Sequence, residues 1–156
     1  MSEYLFVYGT LRKNYRLCLN ERSANDPAVL VTAKAAKHWT YLATGKIGAL
    51  LYDLGSYPGA IKSTNSELIG DCYRLDNPEK VLGILDEYEG IPEDRSSQPG
   101  QSGGEQAEFK REIVTVKLRT GTNVRAWVYW YNRDPGTRKP LRYKDYLNYL
   151  KNKSTI

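Results

Sequence analysis

Among the segments of this chain, one has both ends of a helix marked, and it constrains what the rest can form. Residues Pro78 to Glu89 follow Asn77, a good N-cap; Pro78 suits the first helical position and Glu79 the positive end of the dipole. Gly90 can close the C-terminus in a left-handed conformation. Around this helix the pattern changes to short apolar runs. Tyr4 to Tyr8 (YLFVY) reads as a buried strand that delivers the chain into a loop at Gly9-Thr10-Leu11-Arg12. Ile47 to Leu54 and Glu67 to Leu75 read as two strands parted by the turn Gly55-Ser56-Tyr57-Pro58-Gly59. Glu108 to Arg119 alternates, Thr120 to Asn123 turns it, and Val124 to Tyr131 returns as a strand. Asn14 to Asn20 suits a short helix or an irregular turn, while Ala28 to Thr44 mixes both periods and sets no element type. Several strands with one good internal helix predict an α+β fold, with a sheet curled around the helix.

The length of 156 residues suits one domain, expected over 1–156 with a core over about 4–131 and a basic segment over 132–156. Hydrophobic residues at 40% and charged residues at 26% exclude a disordered chain. No apolar run approaches the roughly 20 residues that span a bilayer, and no basic segment precedes a long apolar one at the N-terminus. The expected location is the cytoplasm, with no membrane partner. Cys18 and Cys72 lack the spacing of a zinc site, and His38, the single histidine, excludes a multi-histidine metal centre. His38 reads as packed or solvated. Chemistry here should rest on carboxylates, tyrosines or backbone dipoles.

The net charge of +5 is concentrated beyond Tyr131, where seven lysines and arginines face two aspartates. With Tyr143, Tyr146 and Tyr149 interleaved, this segment could contact nucleic-acid phosphates and stack on bases. A terminal amphipathic helix explains the same pattern more simply, since Tyr143, Tyr146, Leu147 and Leu150 repeat at helical spacing. A nucleic-acid partner is therefore not expected.

Two segments can carry chemistry. In Val7-Tyr8-Gly9-Thr10-Leu11-Arg12 a glycine lets the backbone approach a ligand, and successive N–H groups can hold a carboxylate; an ordinary strand-ending turn is the simpler reading of these residues alone, since short glycine turns are common. In Leu85-Asp86-Glu87-Tyr88-Glu89-Gly90, Glu89 lies about 20° from Leu82 and about 40° from Leu85, on the buried stripe of the helix. Burial, the negative end of the dipole and the neighbouring Asp86 all disfavour its charged form and raise its pKa. An acid is locally costly there, and such inconsistencies tend to mark functional sites. A surface glutamate with a basic partner, or one solvated by fraying, remains the alternative.

These segments together make the chain resemble the γ-glutamylcyclotransferase-like superfamily, in particular its AIG2-like and γ-glutamylamine cyclotransferase branch. The shared features are a first strand followed by Y-G-[ST]-L at Tyr8 to Leu11, and L-D-x-[FY]-E-G at Leu85 to Gly90. The Tyr57-Pro58-Gly59-Ala60 turn, the Gly70 to Leu75 strand, the [YF]-x-R start at Phe109 to Arg111 and the Trp127-Val128-Tyr129 strand follow in order, over residues 4–131. The resemblance implies a mixed, curled β-sheet or barrel with flanking helices. It implies release of 5-oxoproline from a γ-glutamyl amine or γ-glutamyl amino acid by intramolecular cyclisation, with no cofactor and no metal. It further implies that Glu89 is the general base and acid, and that Tyr8, Gly9, Thr10 and Leu11 hold the glutamyl end, with Tyr129 lining the pocket. Two features depart from the pattern: Phe109 replaces a frequent tyrosine, and residues 91–108 form a long polar segment expected to be a mobile surface insertion or a lid. A non-enzymatic member binding a small carboxylated metabolite, and a basic nucleic-acid-associated protein, are the rival readings.

Overall fold

A computed structural model describes residues 2–19, 25–91 and 107–153. Five strands form a closed barrel in the order β1-β3-β2-β4-β5, where β1 is Glu3–Val7, β2 Trp39–Asp53, β3 Pro58–Leu75, β4 Phe109–Leu118 and β5 Asn123–Tyr131. The barrel closes where β1 meets β5 in parallel, Tyr4 opposite Ala126 and Leu5 opposite Trp127; the other neighbours are antiparallel. Closure leaves β1 paired on both sides, which explains its uninterrupted apolar run: Leu5, Phe6 and Val7 are buried.

The β2–β3 hairpin is longer than the apolar pattern predicts. Its far part is polar, with Lys62 to Ser66 mostly exposed or half-buried, and register shifts at Tyr41/Ala43 and Gly48/Ala49 interrupt the alternation. Between Gly48 opposite Glu67 and Ala49 opposite Lys62, residues 63–66 of β3 have no partner on β2. A Cβ on Gly48 would lie 2.5 Å from the Ser63 carbonyl oxygen, so glycine is required where this bulge folds over the neighbouring strand.

The helix read from sequence forms as α2, Pro78–Tyr88, with Lys80 N–H donating to the Asn77 side chain at 3.2 Å. Val81, Leu82 and Leu85 are its buried face, Glu89 is its C-cap, and Gly90 takes φ +75°. The unassigned stretch before β2 contains α1, Pro27–Ala35, capped by Asp26. A 3-10 turn, Tyr15–Cys18, occupies the segment read as short helix or turn. Of the long polar stretch, residues 92–106 lie outside the described residues, so neither lid nor insertion is decided. Ile91 at its start is buried, and its N–H donates to the Asp86 carbonyl.

The basic C-terminal segment packs on this body. Helix α3, Tyr146–Lys153, buries Tyr146 and Leu147, and Asp145 caps it by accepting from the Leu147 N–H at 2.9 Å. Tyr143 lies before the helix rather than on its stripe, and its ring meets Tyr149 edge-on. Asp145 also receives the Arg12 guanidinium at 2.7 Å, and Arg12 pairs with the buried Asp71 at 3.2 Å. The loop after β1, the strand β3 and the start of α3 therefore share one buried ionic node.

Candidate active site

The loop after β1 is buried, yet it makes few internal hydrogen bonds. Among the described residues the amides of Gly9, Thr10 and Leu11 donate to no protein acceptor, whereas the next two are used: Arg12 N–H to the Gly9 carbonyl and Lys13 N–H to Asp71. Amides of buried residues are usually paired, so these three successive donors remain available to an acceptor from outside the described residues. The fold itself gives Gly9 a steric reason to be glycine. Its φ is not positive; instead, a Cβ would sit 2.5 Å from Cγ of Pro58, because the loop lies against the start of β3.

A cavity of about 420 Å³ opens beside this loop, within the size range of small-molecule sites. Tyr8, Gly9, Thr10, Leu11, Glu89 and Tyr129, all six residues singled out from the sequence, line it. Glu89 reaches it from the end of α2, half-buried, and no described group hydrogen-bonds its carboxyl. Burial raises its pKa from 4.5 to about 8; the charge of Glu108 contributes next and that of Asp86 after it.

The tyrosines play more specific parts than lining. The Tyr8 hydroxyl donates to the Tyr129 carbonyl at 2.7 Å and accepts from the Ala60 N–H at 3.2 Å, tying β1 to β5 and β3 at the cavity floor. Burial, reinforced by Glu89, pushes its pKa up, so it stays a neutral donor. The Tyr129 hydroxyl donates to Asp86 at 2.6 Å, and burial together with that bond raises its pKa as well. Asp86 is also gripped by Arg111, with Nε at 2.9 Å and a terminal nitrogen at 3.0 Å, while the guanidinium rests 4.3 Å from the Trp127 ring centre. Thus the acid beside Glu89 is held by a paired, stacked arginine. Both partners stand in motifs visible in the sequence, but their pairing across β4 and α2 is not local and was not read.

Glu108 was also missed as a site residue. It lines the cavity at the foot of β4, its two carboxylate oxygens 2.8 and 2.7 Å from the Tyr57 hydroxyl. The one signal available was its position next to Phe109, which is buried and lines the same cavity. His38 lies elsewhere, its carbonyl accepting from the Asp76 and Asn77 amides before α2.

This arrangement, a half-buried carboxyl with no described hydrogen-bond partner in a cavity lined by Gly9, Thr10 and Leu11, sits on a chain whose relatives are consistent. A model of the family described as gamma-glutamyl cyclotransferase, AIG2-like, matches residues 5–148. The chain belongs to that family. The match runs on to the first residues of α3, beyond the last motif legible in the sequence at Tyr129. A protein of Methanocaldococcus jannaschii named "Putative gamma-glutamylcyclotransferase" is 27% identical over 148 residues, 92% of this chain and 98% of its own length. Among solved structures, an AIG2-like protein from mouse superposes with a TM-score of 0.61 at 18% identity, covering 93% of this chain and 88% of that one. Protein ytfP from Escherichia coli superposes with a TM-score of 0.54 at 26% identity, covering 94% and 97%. The fold is thus the barrel of the AIG2-like proteins, and the chain is γ-glutamylcyclotransferase-like.

Proposed function

We propose that the protein cyclises the γ-glutamyl group of a γ-glutamyl amine or γ-glutamyl amino acid, releasing 5-oxoproline and the free amine. The observation that carries this reading is the Glu89 carboxyl, unpaired among the described residues and held at a pKa of about 8, in the cavity bordered by the Gly9–Leu11 amides.

The substrate α-carboxylate, or the oxygen that becomes anionic during attack, is met by these amides. Folding the glutamyl chain against them brings its α-amine to its own γ-carbonyl. Such intramolecular orientation supplies on the order of 7–11 kcal/mol of rate enhancement. Proton transfer remains. Ionised Glu89 takes a proton from the α-ammonium; the amine nitrogen then bonds to the γ-carbonyl carbon, and the carbonyl electrons move to oxygen. The ring nitrogen gives up its second proton, the carbonyl reforms and the bond to the departing nitrogen breaks; that nitrogen receives the proton held by Glu89 and the one shed by the ring nitrogen, and leaves as an ammonium. The carboxyl ends as it began. A proton carrier with a pKa near 8 is suited to exchange with amines at either end, and such acid–base help is worth about 10²–10⁴-fold.

Incubation with a set of γ-glutamyl amines and dipeptides should yield 5-oxoproline from at least one of them, and Glu89→Gln should abolish the release while keeping the wild-type circular dichroism spectrum. Wild-type turnover in Glu89→Gln would remove Glu89 from the mechanism.

A further inference from the structure

Glu89 stands at the C-terminal end of α2, a place where the helix itself gives an acid little support. Its N–H donates to the Leu85 carbonyl at 2.8 Å, but the last turn carries no lysine or arginine, and Asp86, Glu87 and Glu89 put three acids at the negative end of the dipole. The barrel grips this end through Asp86. One carboxylate oxygen of Asp86 accepts from Arg111 Nε at 2.9 Å and from the Tyr129 hydroxyl at 2.6 Å; the other accepts from a terminal guanidinium nitrogen at 3.0 Å. Arg111 and Tyr129 are direct partners in the β4–β5 ladder, so they leave the sheet on one face and close on the same carboxylate from two strands. The Trp127 ring backs the guanidinium at 4.3 Å. The Asp86 carbonyl in turn accepts the Ile91 N–H at 2.8 Å, which ties the chain leaving Glu89 and Gly90 back to the clamped residue.

Asp86 and Glu89 are three residues apart, neighbours on the helix surface, and the charge of one acts on the other. The carboxyl at position 89 is therefore one short step from an anchor of three hydrogen bonds. Cyclisation uses Glu89 at two nitrogens and needs it within hydrogen-bond reach of both. A displacement of about 1 Å at such a group can cost on the order of 10²-fold in rate. The amides that meet the glutamyl end belong to the loop after β1, which takes no part in the clamp. A fault in the clamp thus falls on proton transfer and not on holding the glutamyl group.

We infer, resting on the cyclisation reading above, that Arg111 and the Tyr129 hydroxyl are positioning residues: acting through Asp86, they fix the end of α2 so that the Glu89 carboxyl reaches the attacking and departing nitrogens. Tyr129 lines the cavity, but its hydroxyl is committed to Asp86 and serves the reaction by that route.

Kinetics of 5-oxoproline release test this, each variant being paired with its melting curve by circular dichroism. In Arg111→Gln kcat should fall on the order of 10²-fold while KM stays within about threefold of wild type. Arg111→Lys keeps the cation without the planar fork and should bring kcat back to within about tenfold of wild type. Tyr129→Phe removes a single bond to Asp86 and strands no charge, so it reads the same split at a smaller loss should Arg111→Gln fail to fold. Because Arg111 and Asp86 act through one contact, Asp86→Asn combined with Arg111→Gln should lose no more kcat than the worse single variant. Unchanged kcat in both Arg111→Gln and Tyr129→Phe, or losses that multiply in the double variant, overturn this inference and leave cyclisation standing. Absence of 5-oxoproline release by the wild type from every γ-glutamyl amide tried overturns cyclisation, and this inference with it.

Discussion

A glutamate whose folded pKa is about 8 rather than 4.5 leaves a mark on stability as well as on catalysis. Between those values the folded protein keeps a proton that the unfolded chain releases, so stability is fully present below the unfolded pKa and is lost as pH rises toward the folded one. Glu89→Gln lacks this titration. Its unfolding free energy relative to wild type should therefore climb from about pH 5 to about pH 8 and then level, a change on the order of a few kcal/mol. A difference that stays constant with pH would show that residue 89 titrates normally. At this scale the sequence was partly transparent. The stripe of Leu82 and Leu85 pointed to Glu89 because helical periodicity is local. The like charge that acts on it most, Glu108, arrives from the foot of β4 through strand pairing, which places Phe109 opposite Tyr131.

Elements meet at the cavity through backbone contacts that leave little slack. The loop after β1 lies so close to the start of β3 that a methyl group on Gly9 would fall 2.5 Å and 3.0 Å from ring carbons of Pro58. Gly9→Ala must push these two elements apart. We expect about a tenfold or larger loss of kcat/KM for 5-oxoproline release, with about 1–3 kcal/mol lost in stability, the usual range for overpacking. Unchanged kinetics would mean that the loop amides have no part in binding. The contact of this glycine with Pro58 was not legible, since steric approach from a segment fifty residues away has no local signature. Ends of α2 were legible because Asn77, Pro78 and Gly90 act within one turn. The extent of β2 and β3 was not, because the added half of each pairs with the part of the other that the pattern did mark, across register shifts and a polar bulge at residues 63–66 that break the alternation.

Over the whole molecule, one cation joins pieces that the sequence separates by more than a hundred residues. Arg12 is buried between Asp71, which is 3% exposed, and Asp145 at the start of α3. This contact turns the basic C-terminal segment into part of the fold, consistent with a family match that runs to residue 148. Arg12→Met should destabilise the protein by about 3–5 kcal/mol in chemical denaturation, because Asp71 is left charged and buried with only the Lys13 amide to hold it. Replacing Asp71 by leucine in the same chain should recover much of that loss; if it does not, the cost lies in lost packing of the arginine rather than in the stranded charge. The closed barrel was foreshadowed by the resemblance, whereas this node joins residues whose charges gave no hint of their partners.

The most direct test of a proton carrier at position 89 is the pH dependence of kcat/KM for 5-oxoproline release, in wild type and in Glu89→Gln. With wild type, the rate constant should rise tenfold per pH unit on the acidic side and bend near the Glu89 pKa of about 8, since attack requires the ionised carboxyl; Glu89→Gln should show no such limb and almost no turnover. A wild-type bend near the ordinary glutamate value of 4.5, or a Glu89→Gln profile that overlays the wild type, would contradict the account.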